Sequence, residues 1–188
     1  MNITNKLLSI AFLNIIFMAV LAVIYGLVKD RMDYAAAASL EISDYRMIAR
    51  SLKYGLLLVM LTFGVFFMYE LLKGLRIHPA QYILVGAALS VFYVLLLAFS
   101  EKIGFASAYL LASAACIGLI VWYLQFVLAQ RSAVFLVGGL LTSGYAVMFV
   151  LLRLSDYSLI VGSVLLFVML FAVMYATRHV DWYALEKK

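Results

Sequence analysis

PAQYILVGAALSVFYVLLLAFSEKIGFASAYLLASAACIGLIVWYLQFVLAQ, Pro79–Gln130, decides the fold of this chain. Its only Asp, Glu, Lys or Arg residues are Glu101 and Lys102, side by side near the middle. They divide the stretch into two uncharged runs, Pro79–Ser100 and Ile103–Gln130. A helix needs about 20 apolar residues to cross the hydrocarbon core of a bilayer. Both runs meet that length, and both are too long and continuous for strands, which have a mode of about 5–6 residues. The few residues between them make the two helices antiparallel neighbours.

The pattern repeats in both directions. Uncharged runs cover Leu7–Val28, Tyr54–Tyr69, Ser132–Leu152 and Tyr157–Thr177. The expected spans are therefore about 7–28, 54–72, 79–100, 103–127, 132–152 and 157–177. The fold class is all-α, a polytopic membrane bundle of six transmembrane helices forming a single domain over 1–188. Composition agrees, with 68% hydrophobic and 12% charged residues. Soluble domains carry about 45–50% apolar and roughly 25% charged residues. Such an excess needs an apolar solvent outside the protein, which the bilayer supplies. Leu7–Val28 is longer than the apolar core of a signal peptide and no A-x-A site follows, so it reads as an uncleaved anchor.

The net charge of +5 does not imply a nucleic-acid partner, because Lys and Arg stand at the ends of apolar runs and form no basic stripe. With the N-terminus inside, the 14 basic residues divide evenly between the two membrane faces, so charge counting leaves the orientation open. Segment 29–53 is the one polar connection of any length. Its plain reading is a first helix that runs on past the bilayer, a turn near Ser43, and Ser43 or Asp44 as N-cap of the second helix.

Small residues gather on the fourth span (Ala108, Ala112, Ala115, Gly118) and the fifth (Gly138, Gly139, Thr142, Ser143). Pairs such as Ala114 and Gly118, or Gly139 and Ser143, have small-xxx-small spacing. They read as ordinary bundle packing, with a homo-oligomer seam as the alternative. Trp122 and Tyr123, and Trp182 and Tyr183, read as interfacial anchors. Asn14, in mid-span, is a candidate interhelical hydrogen bonder.

Chemistry-bearing residues are few. The second run is short, so its span must reach over Glu70 or pull Lys53 into the interface. Ionisable groups within a span are costly and tend to be paired. Glu70 and Lys73 share a helix face. Arg76, His78 and Gln81 follow, and Pro79 opens the third helix where its missing N–H costs nothing. The candidate polar cluster is therefore Glu70, Lys73, Arg76, His78 and Gln81. It reads either as a polar pocket at one bilayer face or, the plainer alternative, as a salt-bridged helix end and a solvated turn. Glu101 and Lys102 are expected to form a solvated turn on the opposite face. No catalytic residue, cofactor site or metal site is expected. The lone Cys116 and the distant His78 and His179 have no ligand partners at metal spacing, and no H-E-x-x-H, G-x-S-x-G or glycine-rich phosphate loop occurs. The chain is not expected to be an enzyme.

Three stretches carry a family resemblance: LKYGLLLVMLTFGVFFMYELLKGLRIHPAQYILVG (Leu52–Gly86), SEKIGFASAYLLASAACIGLIVWYL (Ser100–Leu124), and the tail from SDYSLIVGS to VMYATRHVDWY, ending at Tyr183. They closely resemble the inner-membrane CreD family over nearly everything after Asp44. The resemblance implies a bacterial inner-membrane protein with its N-terminus in the cytoplasm, and six spans then put the C-terminus on the same side. It also implies a link to cell-envelope integrity, envelope stress, colicin tolerance and the response to β-lactams. No established molecular activity comes with it. Glu70, Arg76, His78, Pro79, Gln81, Glu101 and Gly104 match motif positions. The family carries a β-rich periplasmic domain between its first two spans. This chain resembles the membrane core with that domain absent near Ser43–Asp44. The expected partners are membrane lipids and membrane or envelope proteins. A small transporter or channel built on Glu70 and His78 is the alternative.

Overall fold

The structure is a computed structural model describing residues 3–40, 42–73, 77–128 and 131–153, and scattered positions between 160 and 178. Five helices follow one another: α1 (Ile3–Ala37), α2 (Ser43–Lys73), α3 (Pro79–Ile103), α4 (Phe105–Val127) and α5 (Arg131–Arg153). All five are long and apolar enough to cross a membrane. The all-helical membrane bundle is thus present with five such helices among the described residues. The sixth expected span, 157–177, falls in a stretch that is mostly outside them.

The polar connection is far more helical than a loop. Within 29–53 only 38–42 lies outside α1 and α2. Alanine-rich sequence carries α1 on to Ala37, because Ala has the highest helix propensity. The helix then ends in a Schellman motif. Leu40 N–H donates to Ala35 O at 2.9 Å, and Ser39 N–H donates to Ala36 O at 3.1 Å. Ser39 holds the left-handed position that such an ending requires, φ 58°.

Each helix buries a stripe and leaves the rest of its surface apolar. On α1 the stripe is Leu13, Phe17, Leu21, Ile24 and Val28, at helical spacing. Its opposite face exposes Leu8, Phe12 and Val23. An apolar exterior of this kind is what lipid contact requires. The interior is aromatic. Phe92 meets Tyr93 and Tyr109 edge-on, with centroids 4.8 and 5.4 Å apart. Tyr109 donates to Tyr145 O at 2.8 Å, and Tyr145 Oη donates to Cys116 Sγ at 3.4 Å. These tyrosines lie inside the bundle, with their hydroxyls satisfied, and not in an interfacial belt.

Two glycines set helix distances. A Cβ on Gly86 would enter the ring of Phe17, so Gly86 lets α3 approach α1. A Cβ on Gly55 would strike the Tyr93 hydroxyl, so Gly55 does the same between α2 and α3. The small residues expected to pack the bundle divide: Ala108 and Ala112 are buried and a Cβ on Gly138 would meet Val121 of α4 at 3.0 Å, whereas the pairs Ala114–Gly118 and Gly139–Ser143 do not pack among the described residues. Ala114, Gly118, Gly139 and Ser143 are exposed, because the buried stripe of α4 runs through Ala108, Ala112, Cys116 and Ile120 on another side. Trp122 is exposed late in α4, as an interfacial anchor would be. Trp182 and Tyr183 lie outside the described residues. Among the described residues Asn14 makes no interhelical bond. Its Nδ2 donates to Ile10 O of its own helix at 3.0 Å, and its buried Oδ1 has no partner among the described residues.

Candidate functional site

The antiparallel helices bring polar residues together at two ends of the bundle. One end holds Lys6 and the C-terminal part of α2. The other holds the 38–42 turn and the junction of α3 with α4.

At the first end Glu70 is 7% exposed. Its Oε1 forms an ion pair with Lys6 Nζ of α1. The same oxygen accepts from Ile77 N–H at 3.0 Å, and Oε2 accepts from the Tyr82 hydroxyl at 3.4 Å. Tyr82 is itself wedged edge-on between Phe63 and Phe66, with centroids 5.5 and 5.7 Å away. The carboxylate is thereby satisfied by three donors from α1, the segment before α3, and α3. This arrangement suits a buried charge, which is tolerated only when paired and hydrogen-bonded.

The sequence-predicted cluster divides here. Glu70 is the buried member. The side chains of Lys73 and Arg76 lie outside the described residues. His78 and Gln81 turn to backbone work at the start of α3. His78 Nδ1 accepts from Ala80 N–H at 3.2 Å, and Gln81 Oε1 accepts from His78 N–H at 3.1 Å. Together they form a capping box ahead of Pro79. His78 is exposed, and its hydrogen bonds go to Ala80 and Gln81. Glu70 lines neither of two clefts that lie at the other end of the bundle.

At that other end, one residue makes the turn between α3 and α4. Gly104 adopts φ 75°, ψ 161°, a region essentially reserved for glycine. Glu101 and Lys102 are therefore not the turn itself but the last turn of α3. Gly104 has no side chain with which to cap α4. Asp44 supplies the cap from α2, its Oδ2 accepting from Phe105 N–H at 2.9 Å. A carboxylate at a helix N-terminus satisfies a free donor and faces the positive end of the helix dipole. The N-cap expectation for α2 is corrected accordingly: α2 begins at Ser43, and Asp44 serves α4.

Glu101 is engaged by two other helices. Its Oε1 accepts from the Tyr45 hydroxyl at 3.1 Å and lies 3.9 Å from Arg31 Nη1. Around these groups lies a cleft of about 370 Å³, lined also by Tyr34, Asp44, Ser100 and Lys102. A second cleft of about 420 Å³ shares Arg31 and Tyr34 with the first and continues to Leu27, Asp30 and Leu97.

Sequence reading missed Lys6, Tyr82, Arg31 and Tyr45 as partners. For Lys6 there was a signal. Lys6 and Glu70 lie nearly equal distances on either side of the 38–42 turn, so a helical hairpin sets them level. Among the described residues no group of three or more His, Cys, Asp or Glu is placed to hold a metal ion.

The sequence model of the family described as Inner membrane protein CreD matches residues 38–183. A curated protein of Escherichia coli (strain K12), Inner membrane protein CreD, is 43% identical over 155 residues, covering 80% of this chain and 34% of that protein. This chain therefore spans about a third of the length of that relative. No solved structure matches. The family match runs from the 38–42 turn through α2, α3, α4 and α5, and the helices are those of a membrane bundle, so the chain is a multi-pass inner-membrane protein belonging to the CreD family.

Proposed function

We propose that this chain is a non-enzymatic membrane protein of envelope maintenance, acting through lipids or envelope proteins in the response to envelope stress. The observation that carries this reading is the family match over residues 38–183. It is joined by a polar inventory spent on structure: Glu70 is sealed by three donors, His78 and Gln81 cap α3, and Asp44 caps α4. The proposed topology has six spans, the sixth over Tyr157–Thr177, with both termini in the cytoplasm. The 38–42 turn then faces the periplasm. An alkaline phosphatase fused after Lys188 should be inactive, and an active fusion would overturn that orientation.

The resemblance places a β-rich periplasmic domain in the family between the first two spans, where this chain has only the 38–42 turn. The bundle folds without such a domain because each helix satisfies its own backbone in the bilayer. The sensing role belongs to the periplasmic domain. This chain, expressed in a strain lacking a full-length relative, should therefore insert but leave β-lactam and colicin sensitivity unrescued. Full rescue at matched membrane abundance would place the activity in the helical core.

A further inference from the structure

We propose that the two adjoining clefts at the 38–42 end form a binding site for one zwitterionic phospholipid, with a phosphate and a primary amine in its headgroup. The site rests on the bundle lying in a membrane, not on the envelope role, and either can fail without the other.

Position comes first. The polar cleft lies at the ends of α1 and α3 and is lined by Arg31, Tyr45, Glu101 and Lys102. The second cleft shares Arg31 and Tyr34 and adds Leu27, Asp30 and Leu97. Leu27 is four residues before Arg31 on α1, and Leu97 is four before Glu101 on α3. Both helices run toward this end, so the two leucines lie about one turn, roughly 6 Å, deeper in the bilayer. The charged lining, Asp30 and Arg31 included, thus stands above an apolar floor of Leu27 and Leu97 in the direction of the membrane interior. That gradient matches an amphiphile standing in a leaflet. The volumes of about 370 and 420 Å³ fall among those of small-molecule sites.

Charge then selects the headgroup. The first cleft presents two cations, Arg31 and Lys102, and two carboxylates, Glu101 and Asp44. Asp44 is committed to Phe105 N–H. Lys102 forms no salt bridge among the described residues, and the Arg31–Glu101 pair is loose at 3.9 Å. A phosphate set between Arg31 and Lys102 gains a bidentate guanidinium partner. An amine set on Glu101 gains a carboxylate already held in place by the Tyr45 hydroxyl. An anionic headgroup without an amine leaves Glu101 facing a like charge, and a quaternary ammonium cannot donate to it.

The test is native mass spectrometry of the whole chain, released from detergent with phosphatidylethanolamine, phosphatidylglycerol and phosphatidylcholine of identical acyl chains. The expected order of retention has phosphatidylethanolamine first. Arg31→Gln and Glu101→Gln should each lower its retention roughly tenfold, the weight of one charge-assisted hydrogen bond. Leu97→Trp, filling the apolar cleft, should lower retention of all three. Arg153→Gln, an exposed cation at the same end, should change nothing. Soluble phosphoethanolamine should fail to compete, because it lacks the chain. Equal or preferred retention of phosphatidylglycerol by the unsubstituted protein would overturn the proposal, and that readout needs no variant to fold. Unchanged retention in folded Arg31→Gln and Glu101→Gln proteins would overturn it equally.

Discussion

The two ends of this bundle hold similar charges and use them in opposite ways. At one end Glu70 is buried, paired with Lys6, and enclosed by Ile77 N–H and Tyr82. At the other, Arg31 and Glu101 are loosely paired beside an open cleft, with side chains 61% and 30% exposed. A carboxylate and a cation are thus structural or available according to how many other donors close around them. In the first case removing one partner strands the other in a low-dielectric site. In the second, water replaces whatever is removed.

The largest effect should come from Glu70→Leu. Breaking a buried pair costs about 3–5 kcal/mol, and here Ile77 N–H also loses its acceptor. Thermal unfolding in detergent should fall accordingly. Adding Lys6→Met should recover most of the loss, since an apolar replacement of both partners is often neutral. A Glu70→Leu protein as stable as the parent would remove the contrast between the two ends.

Gly104→Ala should come next, at about 1–3 kcal/mol, because φ 75°, ψ 161° is a conformation alanine resists. The open space around its Cβ leaves backbone strain as the whole cause. Asp44→Ala should cost about 1 kcal/mol through the lost cap on α4. Asp44→Asn should retain much of that stability, and if it fares no better than alanine, the cap is not what Asp44 provides.

The smallest effect on stability should be that of Arg31→Gln, within about 0.5 kcal/mol, as for other exposed pairs. Added salt should move it little. A loss near that of Glu70→Leu would show that the second end is as closed as the first.

Much of the fold was legible because one physical requirement is local. A helix in a bilayer must offer about 20 apolar residues in sequence, and α1, α3, α4 and α5 could be read from such runs. One helix end was legible, where Pro79 opens α3, whereas His78 and Gln81, read as part of a polar cluster, turned out to cap that helix. The composition determined that the apolar surface must face lipid, and the motif residues pointed to the family that the match over 38–183 shows.

What only the tertiary structure decided is which distant side chains meet. Lys6 and Glu70 are 64 residues apart, and Asp44 and Phe105 are 61 apart. Glu70 was read with Lys73 because i, i+3 neighbours are visible in sequence, whereas the contact across the hairpin depends on which face of α1 turns toward α2. The rotation of three helices about their axes aims Tyr93, Tyr109 and Tyr145 into the bundle, Tyr93 against Phe92 and Tyr109 against Tyr145. The clefts at the 38–42 end arise likewise from α1 outrunning the bilayer and standing beside the last turn of α3. Span length is a property of each segment alone. Helix rotation and register are set by packing between segments, where a shift of one residue turns a side chain by about 100°, and no single segment records the result.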